Sequence, residues 1–311
     1  MIRIGIIGMS PGNAHPYSWS SIINGHFDES EIAGAGFPGV NAYLRANKDA
    51  LGIRNCIVTH IWTQDKLLSS GIARSAQIEK VVDHIEDMIG EVDAVMLLRD
   101  DAENHVSMAR PFIERDIPIF IDKPLALNNA DLDYFRKESS KGKLIMSCSS
   151  MRFSKECKPF MEERESLGKI ELITAVGKKD WLKYGVHMIE GIFTLMDDAA
   201  PLSLKNVGGY QKDIVCLEFE NGPKVVIHLF MDIALTFQIS VFGQQGWCII
   251  EMKDWFTMFR DNIAEFVYSV EEGRARVPFY KTENIIRTLI AAKESLEQNG
   301  KSICLKNKQP V

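Results

Sequence analysis

The chain has 311 residues, enough for two ordinary domains whose cores need no disulfide staples. Apolar residues make up 46% and charged residues 25%, and a formal net charge of −6 without a basic stretch excludes nucleic-acid binding by phosphate neutralisation. The six cysteines (Cys56, Cys148, Cys157, Cys216, Cys248, Cys304) are scattered, with no CxxC pair and no histidine at zinc-ligand spacing. That pattern reads as a reduced, cytoplasmic protein without a metal. No signal peptide is legible, and no apolar run approaches membrane-spanning length, so no membrane partner is expected.

In chain order, residues 1–8 predict a buried parallel strand, with Ile2, Ile4, Ile6 and Ile7 in a nearly continuous apolar run. A Ser/Pro/Gly/Asn turn over 10–13 follows, and a helix is expected from about Tyr17. Residues 27–55 read as a long connection, and 56–61 as a second strand. The stretch 78–88 fits either a helix or a short strand end. A third clear strand at 94–98 leads through Arg99-Asp100-Asp101 into a helix with Val106, Ala109, Phe112 and Ile113 on one face. Asp101 is placed to cap that helix, and Glu103 to sit at its positive end. Strand 117–121 ends at Asp122-Lys123-Pro124, and a polar helix and strand 144–148 complete the half. Strands alternating with helices imply a Rossmann-type, doubly wound parallel sheet.

After about residue 150 the texture changes. One helical stretch surrounds His187. Strands are expected at 214–219, 225–230, 237–242 and 248–252, with Asn221-Gly222 as a hairpin signal. Two amphipathic helices close the chain, the first with Phe256, Phe259, Ile263, Phe266 and Val270 on one face and the second with Ile286, Leu289, Ile290 and Leu296. The expected organisation is a dinucleotide-binding domain over 1–150 and, over 151–311, an α+β domain on a mainly antiparallel open sheet for substrate binding and oligomerisation.

Asp122-Lys123-Pro124 after the fifth strand, Gly185-Val186-His187 at a helix start, Arg152-Phe153 after the sixth strand and Gly300-Lys301-Ser302 near the end follow one another in an order that resembles the Gfo/Idh/MocA oxidoreductases. The usual first signature is Glu-Lys-Pro, so Asp122 is a conservative variant. The family's first turn reads GxGxxG; here Gly8 is followed by Ser10, Gly12, Asn13 and Ala14, small residues that still let a backbone approach a pyrophosphate. The resemblance implies NAD or NADP as cofactor. Asp65 can reach the ribose hydroxyls, or Thr63 can leave room for a phosphate; Trp62 either packs on adenine or joins the core. Arg99 stands where the family's fold passes the nicotinamide and substrate. The acidic cluster around it offers a conceivable metal site, but helix capping accounts for those residues and no metal is assigned.

Ligands bind beyond the carboxyl ends of parallel strands, so Gly8, Trp62, Arg99 and Lys123 are expected to border one crevice. Lys123 is the leading catalytic candidate, able to hydrogen-bond a substrate hydroxyl as hydride leaves. His187 is the second. The family often places an acid four residues before this histidine, and here that residue is Lys183, which implies a more cationic pocket. Asp180, Tyr184 or Glu190 can supply the missing acid or base. The run His15-Pro16-Tyr17-Ser18-Trp19 either lines the crevice or packs the first helix. The activity implied is hydride transfer between nicotinamide and a secondary hydroxyl or carbonyl of a sugar, sugar acid or cyclitol, by a homodimer or homotetramer. The competing readings are a regulatory nucleotide-binding protein of the same fold, favoured by the degenerate glycine turn and Lys183, and an enzyme using NAD transiently for elimination or epimerisation.

Overall fold

The computed structural model describes residues 1–305. In chain order its main elements are β1 (Ile2–Ile7), α1 (His15–Asn24), α2 (Glu29–Gly34), α3 (Pro38–Ala46), β2 (Cys56–Trp62), α4 (Lys66–Ala76), β3 (Lys80–Val81), β4 (Ala94–Leu97), α5 (His105–Ile113), β5 (Ile119–Ile121), α6 (Asn129–Ser140) and β6 (Ile145–Met146). There follow α7 (Lys158–Glu163), β7 (Ile170–Lys178), α8 (Trp181–Leu195), β8 (Ser203–Asn206), β9 (Lys212–Glu218), β10 (Lys224–Phe230), β11 (Phe237–Gly243), β12 (Trp247–Glu251), α9 (Trp255–Glu272), α10 (Phe279–Glu297) and β13 (Ile303–Cys304).

The chain forms two compact units. The first gathers residues 1–126, 130–148 and 255–279; the second gathers 127–129, 149–254 and 280 onward. The division is therefore not a single cut at 150. The chain returns to the first unit with α9, because Phe266 meets Phe120 of β5 edge-on at 5.8 Å and Phe259 meets Trp19 of α1 at 6.1 Å. Residues 306–311 of the expected second domain lie outside the described residues.

The first unit is built on a six-stranded sheet in the order β3-β2-β1-β4-β5-β6, parallel throughout. Its strands read as apolar runs because both faces are covered: Ile4, Ile6, Ile7 and all of Ala94–Leu97 and Ile119–Ile121 are buried. The register aligns the strand ends. Ile7 pairs with Trp62 on one side and Leu97 on the other, and Leu97 pairs with Ile121. Gly8, Thr63, Leu98 and Asp122 therefore emerge along one edge, and the strand order reverses between β1 and β4 at that edge.

Several expectations need correction. Helix α1 starts at His15, with Pro16 in its first turn, rather than at Tyr17. The 27–55 connection holds α2, capped by Asp28 onto Ser30 and Glu31, and α3. Residues 78–88 resolve into the two-residue β3 and a 3₁₀ turn over Ile85–Met88. Asp101 makes no side-chain cap; it is drawn into an ion pair instead.

The second unit carries a seven-stranded sheet, β12-β11-β7-β10-β9-β8-β13. It is antiparallel except where β7 pairs parallel with β10. Three of its strands, β7, β8 and β13, escape the sequence pattern. Alternating residues Ile173, Ala175, Ile227, Leu229, Ile239 and Val241 are buried on one face, and α8 packs there against β7, β10 and β11. The opposite face leaves Phe242, Trp247 and Ile249 exposed. No helix of the described residues is long and apolar enough to cross a membrane.

Candidate functional site

The carboxyl edge of the six-stranded sheet is knitted by two side-chain networks. In the first, Arg99 is buried directly after β4. Its guanidinium forks onto Asp101, with Nε 2.9 Å from Oδ1 and Nη2 2.6 Å from Oδ2, and its Nη1 donates to Gln64 Oε1 at 2.8 Å and Met9 O at 3.3 Å. The Met9 N–H donates to the same Gln64 oxygen at 3.1 Å. Ser10, fully buried, donates its hydroxyl hydrogen to Asp100, whose backbone N–H returns a bond to Ser10 Oγ at 3.0 Å. Three strand-end loops are thus held together by charge-assisted bonds, each stronger than a neutral one. Burial alone raises the Asp101 carboxyl, but the Arg99 guanidinium and Asn104 outweigh it, and the net direction is downward. His105 adds a staple between Arg99 O at 2.8 Å and Leu125 O at 3.0 Å.

The second network centres on Asp122, which is buried at the end of β5. Its Oδ2 accepts from Asn13 Nδ2 at 2.9 Å and from His15 Nδ1 at 2.7 Å, and its Oδ1 accepts the Lys123 N–H at 2.8 Å. His15 stacks on Trp19, centroids 4.8 Å apart. The aromatic run after the turn thus both packs α1 and fixes an imidazole on the edge. Burial pushes the Asp122 carboxyl up, yet His15, Lys123 and Asn13 reverse this and hold it well below the usual carboxylate range.

Lys123 is 8% exposed; its charge acts on the neighbouring Asp122 carboxylate, but its ammonium donates no hydrogen bond among the described residues. Gly12 adopts φ +79° with open space where a Cβ would stand, while a Cβ on Gly8 would come within 2.6 Å of Pro16 Cγ. A bare glycine crest at the start of α1 and a buried ammonium with unsatisfied donors on the same strand-end edge fit an anionic dinucleotide and its substrate. At the end of β2, Thr63 is buried and bonded to Ser69 and to Asp65 O. Asp65 is exposed and caps α4 through Leu67 N at 2.8 Å. The indole N–H of Trp62 donates to Asp83 O at 3.0 Å.

The second unit holds the other candidates around the start of α8, which Asp180 caps by accepting from Lys183 N at 3.0 Å. His187 Nδ1 lies 2.6 Å from Ser149 Oγ, and Ser149 N–H donates to Glu190 Oε2 at 3.0 Å. Glu190 is buried and paired with Arg152, which also forks onto Asp198; Lys281 reaches Asp198 at 2.6 Å. Glu190 is thus spent on an internal ion network, where burial pushes its carboxyl upward against the pull of Arg152. Tyr184 meets His187 edge-on at 5.1 Å, and its hydroxyl accepts from Lys179 Nζ at 2.7 Å. Lys183 is exposed. Sequence reasoning missed Gln64, Ser149 and Lys179. Ser149, one residue past the 144–148 strand segment, carried a positional signal; the other two carried none.

No group of three histidine, cysteine, aspartate or glutamate side chains among the described residues is arranged to hold a metal.

A parallel sheet of order 3-2-1-4-5-6 with its loops gathered at one edge defines an α/β protein of the dinucleotide-binding class. Residues 2–147 match the model of the Gfo/Idh/MocA oxidoreductases, an oxidoreductase family with an NAD-binding Rossmann fold. The whole fold is similar to a probable dehydrogenase from Thermotoga maritima, at 17% identity and TM-score 0.77 over 98% of this chain and 99% of that one. It is also similar to a putative myo-inositol dehydrogenase from Sinorhizobium meliloti (14%, TM-score 0.78, 98% and 100% covered). A third likeness is to a Lactobacillus casei myo-inositol dehydrogenase solved with NAD(H) and myo-inositol (13%, TM-score 0.75, 100% and 98% covered). No curated protein sequence matches the chain.

Proposed function

We propose that the protein is an NAD-dependent dehydrogenase acting on a secondary hydroxyl or carbonyl of a sugar, sugar acid or cyclitol. The observation that carries this reading is the buried ammonium of Lys123, its donors unsatisfied, at the carboxyl edge of an NAD-binding Rossmann sheet. A buried ammonium whose hydrogen-bond donors are unsatisfied is costly, and such groups persist where a ligand completes them. The nicotinamide supplies the hydride acceptor or donor. Lys123 hydrogen-bonds the substrate oxygen and stabilises the negative charge that develops there. His187, oriented by Ser149, moves the proton, and Tyr184 and Lys183 hold the substrate's remaining oxygens. Gly8, Ser10, Gly12 and Asn13 shape the turn under the pyrophosphate, with Arg99 and Asp122 holding that turn in place. Asp65 favours a ribose hydroxyl over a 2′-phosphate, since the neighbouring Lys66 ammonium is engaged by Asp83 at 2.6 Å. The exposed face of the seven-stranded sheet supports a homodimer or homotetramer.

A regulatory reading draws on one observation: Asp100 places a carboxylate on Ser10 in the turn. Calorimetry with oxidised and reduced NAD and NADP, followed by a polyol screen, separates the two. Binding with turnover supports the enzyme, binding without turnover the regulator, and no heat with any nucleotide overturns both.

A further inference from the structure

We propose that Lys179 is a positioning residue that fixes the Tyr184 hydroxyl as a hydrogen-bond donor to an anionic oxygen of the substrate, such as the carboxylate of a sugar acid. The inference rests on the proposed function for the statement that Tyr184 faces substrate. Lys179 Nζ lies 2.7 Å from Tyr184 Oη and 4.3 Å from the ring centroid. An ammonium donates and cannot accept, so the phenol oxygen is the acceptor in this bond and its own hydrogen must point elsewhere. Among the described residues that hydrogen has no acceptor. A hydroxyl with a neutral partner rotates between roles; one held by an ammonium is committed to donate.

The geometry around the pair is fixed on both sides. The Tyr184 ring stacks on Phe237, centroids 6.0 Å apart and planes 16° apart, and touches His187 edge-on. Lys179 lies one residue past β7 with φ +96°, a conformation rare for a residue with a side chain. Its N–H donates to Phe230 O at 3.1 Å, extending the β7–β10 ladder, and the next residue, Asp180, is already the cap of α8. A strained backbone pinned between a strand end and a helix cap sets this exposed lysine against the tyrosine hydroxyl. The group that results, an ammonium behind a donor hydroxyl and beside an imidazole, is matched to an oxygen that carries negative charge. The acid missing at position 183 is thus answered by a donor one residue on, which suits an anionic substrate better than a neutral cyclitol.

The test is ¹³C NMR of the full chain labelled at tyrosine Cζ, with the Tyr184 signal assigned by Tyr184→Phe. Sodium D-gluconate and, separately, myo-inositol are titrated in the presence of NAD, with sodium chloride at equal ionic strength as the control. Gluconate is expected to shift the Tyr184 signal saturably and myo-inositol to do so at least fivefold more weakly. Lys179→Met is expected to weaken gluconate at least fivefold, while Lys179→Arg, which keeps a donor cation, stays within twofold of wild type. An unmoved Tyr184 signal, an equal response to myo-inositol, or wild-type affinity in Lys179→Met overturns the proposal. The readout needs no turnover, so a protein that binds gluconate in this way yet transfers no hydride sinks the dehydrogenase reading alone.

Discussion

His15 Nδ1 lies 2.7 Å from Asp122 Oδ2, joining the first residue of α1 to the end of β5 through a carboxylate that is fully buried. The carboxylate has three donors around it, so its charge is satisfied although no water reaches it.

That arrangement sets a pH dependence. Burial raises the Asp122 carboxyl, but the charges and donors around it prevail, and its folded value is depressed. A depressed carboxylate contributes stability that is fully present above its unfolded pKa of about 3.9 and is lost as pH falls through the folded value. Asp122→Asn is expected to cost about 2 kcal/mol at neutral pH, the usual worth of bonds to a charged acceptor. The gap in Tm between wild type and variant should shrink steadily below about pH 4. A gap that stays constant from pH 7 to pH 2 would contradict the assignment.

Lys123→Met keeps most of the side-chain length and removes the charge. If the ammonium acts on the substrate oxygen, kcat falls by about two orders of magnitude, with NAD affinity nearly intact. Since the ammonium also helps to hold the buried Asp122 carboxylate ionised, Tm should fall modestly as well, by less than in Asp122→Asn. Wild-type turnover in this variant, once a substrate is found, removes Lys123 from catalysis.

The nucleotide preference follows from the end of β2. Thr63 is buried and doubly bonded, Asp65 is exposed, and Lys66 is engaged by Asp83. A 2′-phosphate would meet a carboxylate without a free cation nearby, so calorimetry should give NAD at least about tenfold tighter than NADP, about 1.4 kcal/mol. Equal affinities would show that neither group reads the ribose.

The sequence exposed some of this and concealed the rest for physical reasons. β1, β4 and β5 were legible because both sheet faces are covered, which makes each strand an unbroken apolar run. β7 was not, although it is central: Thr174 and Lys178 alternate with buried residues, but the exposed Glu171 falls in phase with the buried positions and Gly177 interrupts the apolar pattern. α2 and α3 read as loop because they are short and glycine-rich where they meet, with Gly34 ending α2, Gly36 between them and Gly39 in the first turn of α3. Asp101 fitted a helix cap by position, but Arg99, two residues away, outbid the backbone for its carboxylate. Lys123 and His187 were singled out through motif order, whereas the placing of Lys179 depends on a backbone angle that no composition encodes.

The open sheet face predicts association. Phe242 pairs with Trp247 across β11 and β12, and Ile249 follows on the same face; Trp247 and Ile249 are 64% and 58% exposed. Large apolar side chains clustered on one face mark an interface more often than a solvated surface. Light scattering should give a dimer or tetramer at micromolar concentration, and Trp247→Glu with Ile249→Glu should shift it to monomer without loss of helix content. A wild-type monomer at high concentration defeats the proposal.

The second unit's roles separate kinetically. His187 is oriented through Nδ1 by Ser149, whose N–H is in turn fixed by buried Glu190. A histidine that moves a proton contributes in the transition state, and one that only packs contributes to stability. His187→Asn, which retains a donor, is therefore expected to lower kcat/KM by about two orders of magnitude with little change in Tm. Ser149→Ala should reproduce part of that loss, because the ring keeps its place but loses its fixed orientation. Lys183 stands exposed on the first turn of α8. If it binds a substrate anion equally in ground and transition states, Lys183→Ala raises KM and leaves kcat nearly unchanged, the signature of uniform binding. Raising ionic strength should weaken wild type and leave that variant less affected, since an exposed charge is screened within about 8–10 Å. A Lys183→Ala protein that loses kcat instead would move this lysine from binding into the chemical step, and His187 would then need a different partner.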